Sequence, residues 1–495
     1  MASNVPGGGD ERALPAVRAA LERAGYTSER IEGRLGTDEL SSRPIDTAVH
    51  LRRLGESDDF STLARLFLLG DAVEAERLEK AAAPVPIEEL SALGLVSAAQ
   101  GRVRARVRLV PHGDYYVASD AGPESGLDVP FDHVPGIQAP SVTLAKLAVR
   151  NRGGHALDLG TGCGIQALLA AKHVDRVVAT DVNRRALGYA AFNAALNGID
   201  TIEFRQGDGF APVEEECFDL IVANPPYVIS PDASYAYRDS GLPADELCRT
   251  VVQKAAAHLT EGGFAHVLVS WAHPAAGDWA EPLKAWVEGC GCDAWLLHYR
   301  TSDPIAHAAG WLRPLGESDA ALHTDALDRW LEHLRRLQID AIGYGAIVLR
   351  RRDGGRNWIR TDPLPLERLE PAGPHTLRVF ATQDALEQLD DLGLLELPLA
   401  LTPSHRLQQT LAAREGAFVA ESQTLELTEG LRFAVGVDRH TVSLLPHFNG
   451  RRPLRDVLAL AGETFELEPE ERERFVPAAL PVVRRLLELG FLELR

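Results

Sequence analysis

The sequence predicts an α/β protein in which a doubly wound, mostly parallel sheet lies between two smaller α+β domains. The main observation is that seven apolar, strand-like segments alternate with helical segments between about residues 141 and 352. Strands that alternate with helices favour a parallel sheet covered by helices on both faces. The second observation is that the flanking regions read as helices followed by short strands. The seven segments are HALDLG, RVVATD, TIEFRQGD, FDLIVANPPY, FAHVLVSW, DAWLLHYR and YGAIVLRR.

The N-terminal region, residues 1–130, reads as a helical domain that ends in a β-hairpin. Up to about Val96, apolar residues recur at three- and four-residue spacing, which is typical of amphipathic helices. Residues 101–109 alternate between polar and apolar side chains, and a turn at 112–114 leads into a second strand over 115–119. Helices followed by a hairpin predict a winged-helix-like domain.

The strand over 101–109 places four arginines on one face. These arginines would either bind an acidic or phosphate-bearing partner or form the solvated face of a hairpin. Alternation is what any half-buried strand shows, so the second interpretation is favoured. The four residues are Arg102, Arg104, Arg106 and Arg108.

Composition predicts the domain boundaries. Residues 120–140 are rich in Pro, Gly and Asp and predict an irregular lead-in, so the central domain is assigned to 131–352. Residues 353–375 contain four prolines and several charges, which predicts a linker. The remaining segment, 376–495, alternates helical patterns with a terminal apolar strand and predicts a second winged-helix-like unit.

Length and charge restrict the classes of function. A chain of 495 residues exceeds what one hydrophobic core usually supports, so two to four domains are expected. Acidic residues outnumber basic ones by 71 to 51, and the formal charge of −20 disfavours long contacts with a phosphate backbone. A protein, peptide or small-molecule substrate is therefore favoured over a nucleic acid.

Neither export nor membrane insertion is expected. The sequence has no basic-then-apolar leader pattern and no run of about 18 uncharged apolar residues. Its five cysteines are too few and too scattered for a disulfide framework, and Cys290-Gly-Cys292 has no second ligand pair at zinc spacing. Reduced thiols in a cytoplasm, and no bound metal, are the expectation.

The first chemical motif is a glycine-rich turn between a strand and a helix. The strand ends in Asp158-Leu-Gly160-Thr-Gly162-Cys-Gly164, and the helical IQALLAAKHV follows. Glycines at alternate positions allow a ligand to approach the backbone, and a helix N-terminus offers unpaired N–H groups to a carboxylate or phosphate. The alternative interpretation is that these glycines only allow a tight turn between the strand and the helix, with no ligand bound.

Two further acidic residues follow the next two strands. Asp181 ends the second strand, 21 residues beyond Gly160, which is the usual position of a carboxylate that binds ribose hydroxyls. Asp208-Gly209-Phe210 ends the third strand, where the acid can meet an adenine amine and the ring can pack beside it. All these residues are expected at the carboxyl ends of adjacent strands, where open α/β sheets bind ligands. To this point NAD and S-adenosylmethionine both satisfy the pattern.

The fourth strand distinguishes the two cofactors. It ends in Asn224-Pro225-Pro226-Tyr227, and the prolines make this loop rigid while leaving its carbonyl groups free to accept hydrogen bonds. We expect the Asn224 side-chain oxygen and the Pro225 carbonyl to accept the two hydrogens of a planar NH₂ group. That arrangement would direct the nitrogen lone pair toward a sulfonium methyl group, with Tyr227 stacked on the substrate plane.

Together, DLGTGCG, TDVN, GDGF and NPPY resemble the motifs of class I S-adenosylmethionine-dependent methyltransferases. Within that class the chain is similar to the release-factor glutamine methyltransferases (HemK/PrmC) and to the small-domain rRNA guanine methyltransferases, over roughly residues 135–350. The resemblance implies a Rossmann-like methyltransferase domain of seven strands. It implies that the cofactor is bound by Asp158, Gly160, Thr161, Gly162, Gly164, Asp181, Asn183, Asp208, Gly209 and Asn224, and that the catalytic loop is Asn224, Pro225, Pro226 and Tyr227.

The chain departs from the glutamine methyltransferases in three places. Their Pro-Arg-Pro-Glu-Thr segment is replaced by Gln138-Ala-Pro-Ser-Val-Thr143, the N-terminal domain is longer, and a segment follows residue 352. Residues 301–341 also interrupt the last two strands, either as a lid over the acceptor or as a helix that packs on the core. The final segment loosely resembles PqqD-like peptide-recognition domains, which implies peptide capture by strand addition, although a purely structural winged helix is favoured.

The predicted function is methyl transfer to an amide or amine nitrogen of a protein or peptide. Two alternatives remain at this point. In one the acceptor is a base of RNA or DNA, read through the arginine hairpin and the flanking domains. In the other the chain binds the cofactor without catalysis, an interpretation that the intact NPPY motif disfavours.

Overall fold

A computed structural model describes residues 5–36, 44–55, 58–121, 130–232, 237–239, 241–318, 320–354, 356–414, 416–464 and 468–495. The chain forms two compact units. The first consists of Met1–Leu144 with Asn151–Pro363, and the second of Ala145–Arg150 with Leu364–Arg495. Across the residues that the structure describes, none of the helices combines the length and apolar composition needed to span a bilayer.

The first unit begins with short helices and two small sheets. The helices are α1 (Leu14–Arg23), α2 (Ser28–Leu35), α3 (Pro44–Leu54), α4 (Asp59–Leu63), α5 (Ala75–Ala82) and α6 (Ile87–Ala92). The strands are β1 (Val73–Glu74), β2 (Val96–Ala99), β3 (Arg102–Ala105), β4 (Val107–His112) and β5 (Tyr115–Asp120). One sheet has the order β1-β3-β2, and β4 pairs only with β5. The winged-helix assignment for this region stays a prediction.

The strand predicted over 101–109 is divided in two. The chain bends at Arg106, whose backbone N–H donates to the Leu95 carbonyl at 2.9 Å, so β3 and β4 belong to different sheets. Arg102 and Arg104 are exposed on β3, whereas burial lowers the pKa of Arg108 on β4. The four arginines therefore do not form one continuous solvated row, because the bend separates them between two sheets.

The large sheet of the first unit contains eight strands, not the seven predicted. Its order is β8-β7-β6-β9-β10-β12-β11-β13, with β12 antiparallel to both neighbours and the other pairings parallel. The strands are β6 (His155–Leu159), β7 (Arg176–Asp181), β8 (Ile202–Gln206), β9 (Phe218–Ala223), β10 (Leu259–His273), β11 (Cys292–Ser302), β12 (Ala341–Arg351) and β13 (Ile359–Pro363). The accompanying helices are α7 (Ala139–Leu147), α8 (Ile165–Ala170), α9 (Arg184–Leu196), α10 (Glu246–Ala257), α11 (Glu281–Val287), α12 (Pro304–Ser318) and α13 (Ala320–Arg336).

The eighth strand corrects the predicted linker over 353–375. Asp293 of β11 has no exposed side-chain surface, and it forms ion pairs with Arg350 at 2.5 Å and Arg352 at 2.6 Å. The same carboxylate accepts the backbone N–H of Trp358 at 3.2 Å, immediately before β13. Since a buried carboxylate needs several partners, the segment that follows Arg352 is ordered against the sheet instead of crossing solvent.

The N-terminal region packs with the large sheet in one unit, which corrects the predicted boundary near 130. Asn193 on α9 is fully buried, and its amide bonds the N–H and the carbonyl of Ala118 on β5 at 2.8 and 2.9 Å. Asn197 bonds both backbone groups of Tyr116 in the same way, at 3.0 and 2.8 Å. The two asparagines therefore take the place of a neighbouring strand along β5.

The second unit contains five α-helices and two three-stranded sheets in the region that the structure describes. The helices are α14 (Gly373–Gln388), α15 (Asp391–Leu395), α16 (Arg439–Leu444), α17 (Leu454–Thr464) and α18 (Pro469–Glu488). The strands are β14 (Pro398–Leu401), β15 (His405–Arg414), β16 (Ala417–Leu427), β17 (Ala434–Gly436), β18 (Asn449–Pro453) and β19 (Leu492–Leu494). Their orders are β18-β14-β19 and β15-β16-β17. Whether this unit captures a peptide stays a prediction.

Candidate active site

The register of the large sheet brings the predicted site residues to one edge. Leu159 at the end of β6 pairs with Ala223 of β9 on one side and with Thr180 of β7 on the other. Asp181 pairs with Gln206 at the end of β8. Because these strands are parallel, the residues that follow them emerge side by side. The glycine turn, Asp181, Asp208 and Asn224 therefore lie at neighbouring strand ends.

The three glycines of the turn have two different roles. All have positive φ, at 71° for Gly160, 56° for Gly162 and 87° for Gly164. A Cβ built on Gly160 or Gly162 meets no atom within 4 Å, so this side of the turn faces open space. A Cβ on Gly164 would lie 2.9 Å from the Cβ of Ala190. Gly160 and Gly162 thus leave room for a ligand, whereas Gly164 permits close packing of α8 on α9.

Asp158 holds the turn from the inside. Its side chain is 2% exposed, and Oδ2 accepts hydrogen bonds from the Thr161 hydroxyl at 2.6 Å and from the Ala167 N–H at 3.0 Å. Burial raises the pKa of Asp158 to about 7. Asp158 and Thr161 therefore stabilise the shape of the turn. A direct contact of either residue with a cofactor stays a prediction.

Asp181 lies beside the turn and is held by backbone donors. Its Oδ2 accepts from the Gly162 N–H at 2.9 Å and its Oδ1 from the Asn183 N–H at 2.8 Å, while burial raises its pKa. Asn183 caps α9 by accepting the Arg185 N–H at 2.9 Å, and its amide donates to the Asp132 carbonyl at 2.9 Å. Asn183 therefore joins the lead-in segment to the strand ends.

Val182 is a residue of this edge that none of the sequence motifs singles out. It follows Asp181 directly and is 59% exposed, which is unusual for an apolar residue at the end of a buried strand. The only signal in the sequence is its place between Asp181 and Asn183. It provides an apolar surface next to the carboxylate.

The third strand end differs in part from the expectation. Asp208 and Gly209 are exposed, as a ligand contact requires. Phe210 is only 3% exposed and packs against the His258 ring, with the ring centroids 4.6 Å apart. The expected packing of Phe210 beside an adenine ring is therefore wrong, because this side chain contributes to the core under the sheet.

The NPPY loop combines an available amide with a fixed backbone. The side chain of Asn224 is half-buried and forms no hydrogen bond with any residue that the structure describes, and the same holds for the carbonyl of Pro225. Pro225 is buried and Pro226 is half-buried. The Tyr227 carbonyl accepts a hydrogen bond from the Ser270 hydroxyl of β10. The loop is thus anchored through its last residue, while its acceptors remain available.

Tyr227 packs in the same cluster as Tyr299 and Tyr344. Burial, with the nearby Tyr299 hydroxyl as a further cause, raises the pKa of Tyr227 far above its ordinary value, so the phenol is neutral. The rings of Tyr299 and Tyr344 lie 6.1 Å apart, and the Arg300 guanidinium lies 4.3 Å from the Tyr344 ring centroid. A flat acceptor group that entered here would meet ring surfaces and one exposed cation.

The insertion over 301–341 packs on the segment that follows NPPY. It consists of α12 and α13, and Trp330 of α13 is completely buried against Val228. The Trp330 indole N–H donates to the Asp232 carboxylate at 2.8 Å. Leu334 packs beside Ile229. The expectation of a packing helix is therefore correct for these two residues, and the residues that they pack against, Val228 and Ile229, follow the NPPY motif directly.

Three families match the chain in succession. Residues 138–276 match the methyltransferase small domain. Two domains of unknown function match on either side, DUF7059 over residues 23–106 and DUF7782 over residues 378–494. The first match confirms the methyltransferase resemblance that the four motifs predict.

The curated relatives are methyltransferases with protein substrates in their names. A release factor glutamine methyltransferase of Xylella fastidiosa (strain Temecula1) is 36% identical over 131 residues, 24% of this chain and 48% of that protein. A ribosomal protein uL3 glutamine methyltransferase of Bradyrhizobium diazoefficiens is 36% identical over 120 residues, 22% of this chain and 38% of that protein. The chain thus spans about half or less of the length of these relatives. A solved methyltransferase of Pyrococcus furiosus is 19% identical with a TM-score of 0.28 over 46% of this chain and 90% of that one, a likeness too low to support a functional argument.

Proposed function

We propose that this chain, which carries a methyltransferase small domain, uses S-adenosylmethionine to methylate a planar amide nitrogen of a protein or peptide. The observation that carries the proposal is the unpartnered Asn224 amide, half-buried at the strand end next to the open glycine turn. A half-buried polar group that has no partner among the described residues is available to bind a ligand.

The residues at the strand ends fit the cofactor. Gly160 and Gly162 leave the space that a Cβ would fill, which suits close approach of the amino-acid part. Asp181 lies beside the turn with its carboxylate held by the backbone N–H groups of Gly162, Asn183 and Val182, and an ionised carboxylate has a further lone pair for a ribose hydroxyl. Val182 offers an apolar face for the adenine, and Asp208 an exposed carboxylate for its amine. When bound, S-adenosylmethionine supplies an electrophilic methyl group on its sulfonium.

The acceptor loop holds a planar NH₂ group through two oxygens. The Asn224 side-chain oxygen and the Pro225 carbonyl each accept one of the two hydrogens, which fixes the plane of the amide. An amide nitrogen is a weak nucleophile because its lone pair is delocalised into the carbonyl. Strong acceptors on both hydrogens increase its electron density. As the nitrogen formed its bond to the methyl carbon, the carbon–sulfur bond would break with both electrons going to sulfur, and the nitrogen would then lose one proton to solvent. Tyr227 stays neutral and packs beside the acceptor while water is excluded.

A protein acceptor is favoured over a nucleic acid for two reasons. The relatives named above act on a release factor or on ribosomal protein uL3, and the net charge of −20 opposes contacts with phosphates. The arginine row that would have read a nucleic acid is divided between two sheets. No described feature favours RNA or DNA beyond the general likeness of NPPY loops.

The test is methyl transfer by matched variants of the full chain. Purified wild type, Asn224→Ala and Asn151→Ala are incubated with isotopically labelled methyl donor and an extract of the source cells, and label is measured separately in protein, peptide and RNA. Asn151 is exposed on a loop and controls for loss of an asparagine elsewhere. We expect Asn224→Ala to lose about 100-fold or more of the rate, by analogy with removal of one oriented polar contact at a reacting group. Its affinity for S-adenosylmethionine, measured by calorimetry, should stay near that of the control.

Each alternative gives a different result. Full activity of Asn224→Ala would show that the loop does not hold the acceptor. Label that partitions into RNA would replace the protein acceptor with a nucleic acid. Affinity for S-adenosylmethionine without any labelled product would leave a binding protein that is not an enzyme.

A further inference from the structure

His307 is a buried histidine whose two ring nitrogens are both engaged. It lies on α12 and is 2% exposed. Nε2 donates to the carbonyl of Ile229 at 2.8 Å, and Nδ1 accepts from the hydroxyl of Tyr344 on β12. Burial lowers the pKa of His307 to about 4, so the ring is neutral and its single N–H is on Nε2. The imidazole therefore bridges the insertion, the acceptor loop and the sheet.

The bridge is attached where the acceptor loop leaves the sheet. Ile229 is two residues beyond Tyr227, whose own carbonyl is held by Ser270 of β10. Beyond Ile229, the carboxylate of Asp232 accepts from the indole of Trp330 on α13. Three positions after the two prolines are thus fixed, Tyr227 by the sheet and Ile229 and Asp232 by the insertion.

Apolar packing alone does not explain a histidine at this place. A buried imidazole loses its hydration and is tolerated only when its nitrogens are hydrogen-bonded. The Ile229 carbonyl is also buried, and its only partner outside regular structure in the described chain is the Nε2–H of His307. Leu or Phe would fill the same space but would leave that carbonyl unsatisfied, at a cost of about 1–3 kcal/mol.

We infer that His307 is a positioning residue of the acceptor site, and that the α12–α13 insertion belongs to that site because this imidazole fixes the segment after NPPY against β12. The inference rests on the proposed function for the meaning of the loop. Aromatic side chains on two elements flank the bridge: the His307 ring lies 5.8 Å from Trp330 on α13 and 6.1 Å from Tyr344 on β12, centroid to centroid. Movement of the bridge would therefore displace both the loop and the rings beside the acceptor.

The test separates the two hydrogen bonds by side-chain length. The amide of Gln reaches the position of Nε2, so His307→Gln keeps a donor for Ile229, whereas the shorter His307→Asn keeps only a partner for Tyr344. His323→Asn on α13 is the control, because His323 belongs to the same insertion and forms no described bond. All variants are made in the full chain.

Two measurements are made on each variant. The first is kcat and KM for the acceptor and for S-adenosylmethionine. We expect His307→Asn to lower kcat by about 10- to 100-fold, the effect of a small misplacement at a reacting group, with KM for the cofactor unchanged. His307→Gln should restore most of kcat. The second is hydrogen exchange of peptides that cover residues 224–232, which should be faster in His307→Asn than in His307→Gln or His323→Asn.

The inference is overturned if His307→Asn matches His323→Asn in kcat and in exchange over residues 224–232, or if Gln and Asn at 307 are equally impaired. If the wild type transfers no methyl group to any acceptor, that result refutes the proposed function instead. In that case exchange alone decides whether His307 fixes this segment, since it needs no substrate.

Discussion

Substitution of Gly160 by alanine tests whether the open side of the glycine turn receives the cofactor. Gly160 has φ 71° and a built Cβ meets nothing within 4 Å. Gly198, at the end of α9, provides a matched control with φ 69°, an equally open Cβ position and an exposed location. The two variants therefore carry the same backbone penalty at different distances from the proposed pocket.

The expected magnitudes follow from this match. Left-handed backbone costs an alanine about 1–2 kcal/mol, so both variants should lose about 1 kcal/mol of unfolding free energy. A methyl group forced into an occupied, well-packed site costs roughly 1–3 kcal/mol. If the cofactor packs against Gly160, its dissociation constant should rise about 5- to 150-fold in Gly160→Ala. Gly198→Ala should bind as the wild type does.

The measurements are urea unfolding followed by circular dichroism, and calorimetric titration with S-adenosylmethionine. Unfolding verifies that the two variants are equally stable, so that a difference in affinity reflects the added methyl group. Equal affinity of Gly160→Ala and Gly198→Ala would refute the assignment of this turn to the cofactor. Weakened binding in both would mean that loss of stability, not occupancy of the turn, controls affinity.

Two further predictions concern the framework of the site. The raised pKa of Asp158, about 7 against an ordinary 3.8, means that the folded state holds a proton that the unfolded state has released between those values. This contribution to the free energy of unfolding is complete below pH 3.8 and is lost as pH rises to about 7, at up to about 1.4 kcal/mol per pH unit. Asp158→Asn should therefore flatten the decrease in stability with pH that urea unfolding measures between pH 5 and 8. An unchanged slope would contradict a buried neutral acid at this position. Asn193→Ala should lower the free energy of unfolding by about 3 kcal/mol, because the bonds to Ala118 and Cys163 are lost. Asn193→Asp should lower it further, because a carboxylate would face two carbonyl oxygens. Equal stability of the two variants would show that the amide donor is unimportant.

The sequence predicted the strand ends well because the signal there is local. Each apolar strand is followed at once by its polar or glycine residue, so the parallel order of the strands was enough to bring Gly160, Asp181, Asp208 and Asn224 to one edge. That inference used only chain direction and the rule that parallel strands end at the same edge. The register of Leu159 with Thr180 and Ala223 agrees with it.

The errors arose where a distant partner determines the structure. The segment after Arg352 looks like a linker, but the buried carboxylate of Asp293 orders it against the sheet. Phe210 looks like a ligand contact beside Asp208, yet the short helical turn that follows directs its ring toward His258. His307 carries no local signal at all, since its partners are 78 and 37 residues away in the sequence. Hydropathy patterns and motifs do not encode such pairings.

The polar groups at the strand ends divide according to whether the protein already satisfies them. The Asp158 carboxyl accepts hydrogen bonds from Thr161 and Ala167, and these bonds stabilise the shape of the turn. Asn224 has no partner among the described residues, and exposed Asp208 has no described side-chain bond. Since a half-buried amide loses part of its hydration, Asn224 is the group with most to gain from a ligand. We propose from this division that one motif set holds both a framework and a reaction: the first acid maintains the shape of the turn, and the last amide is left for the acceptor.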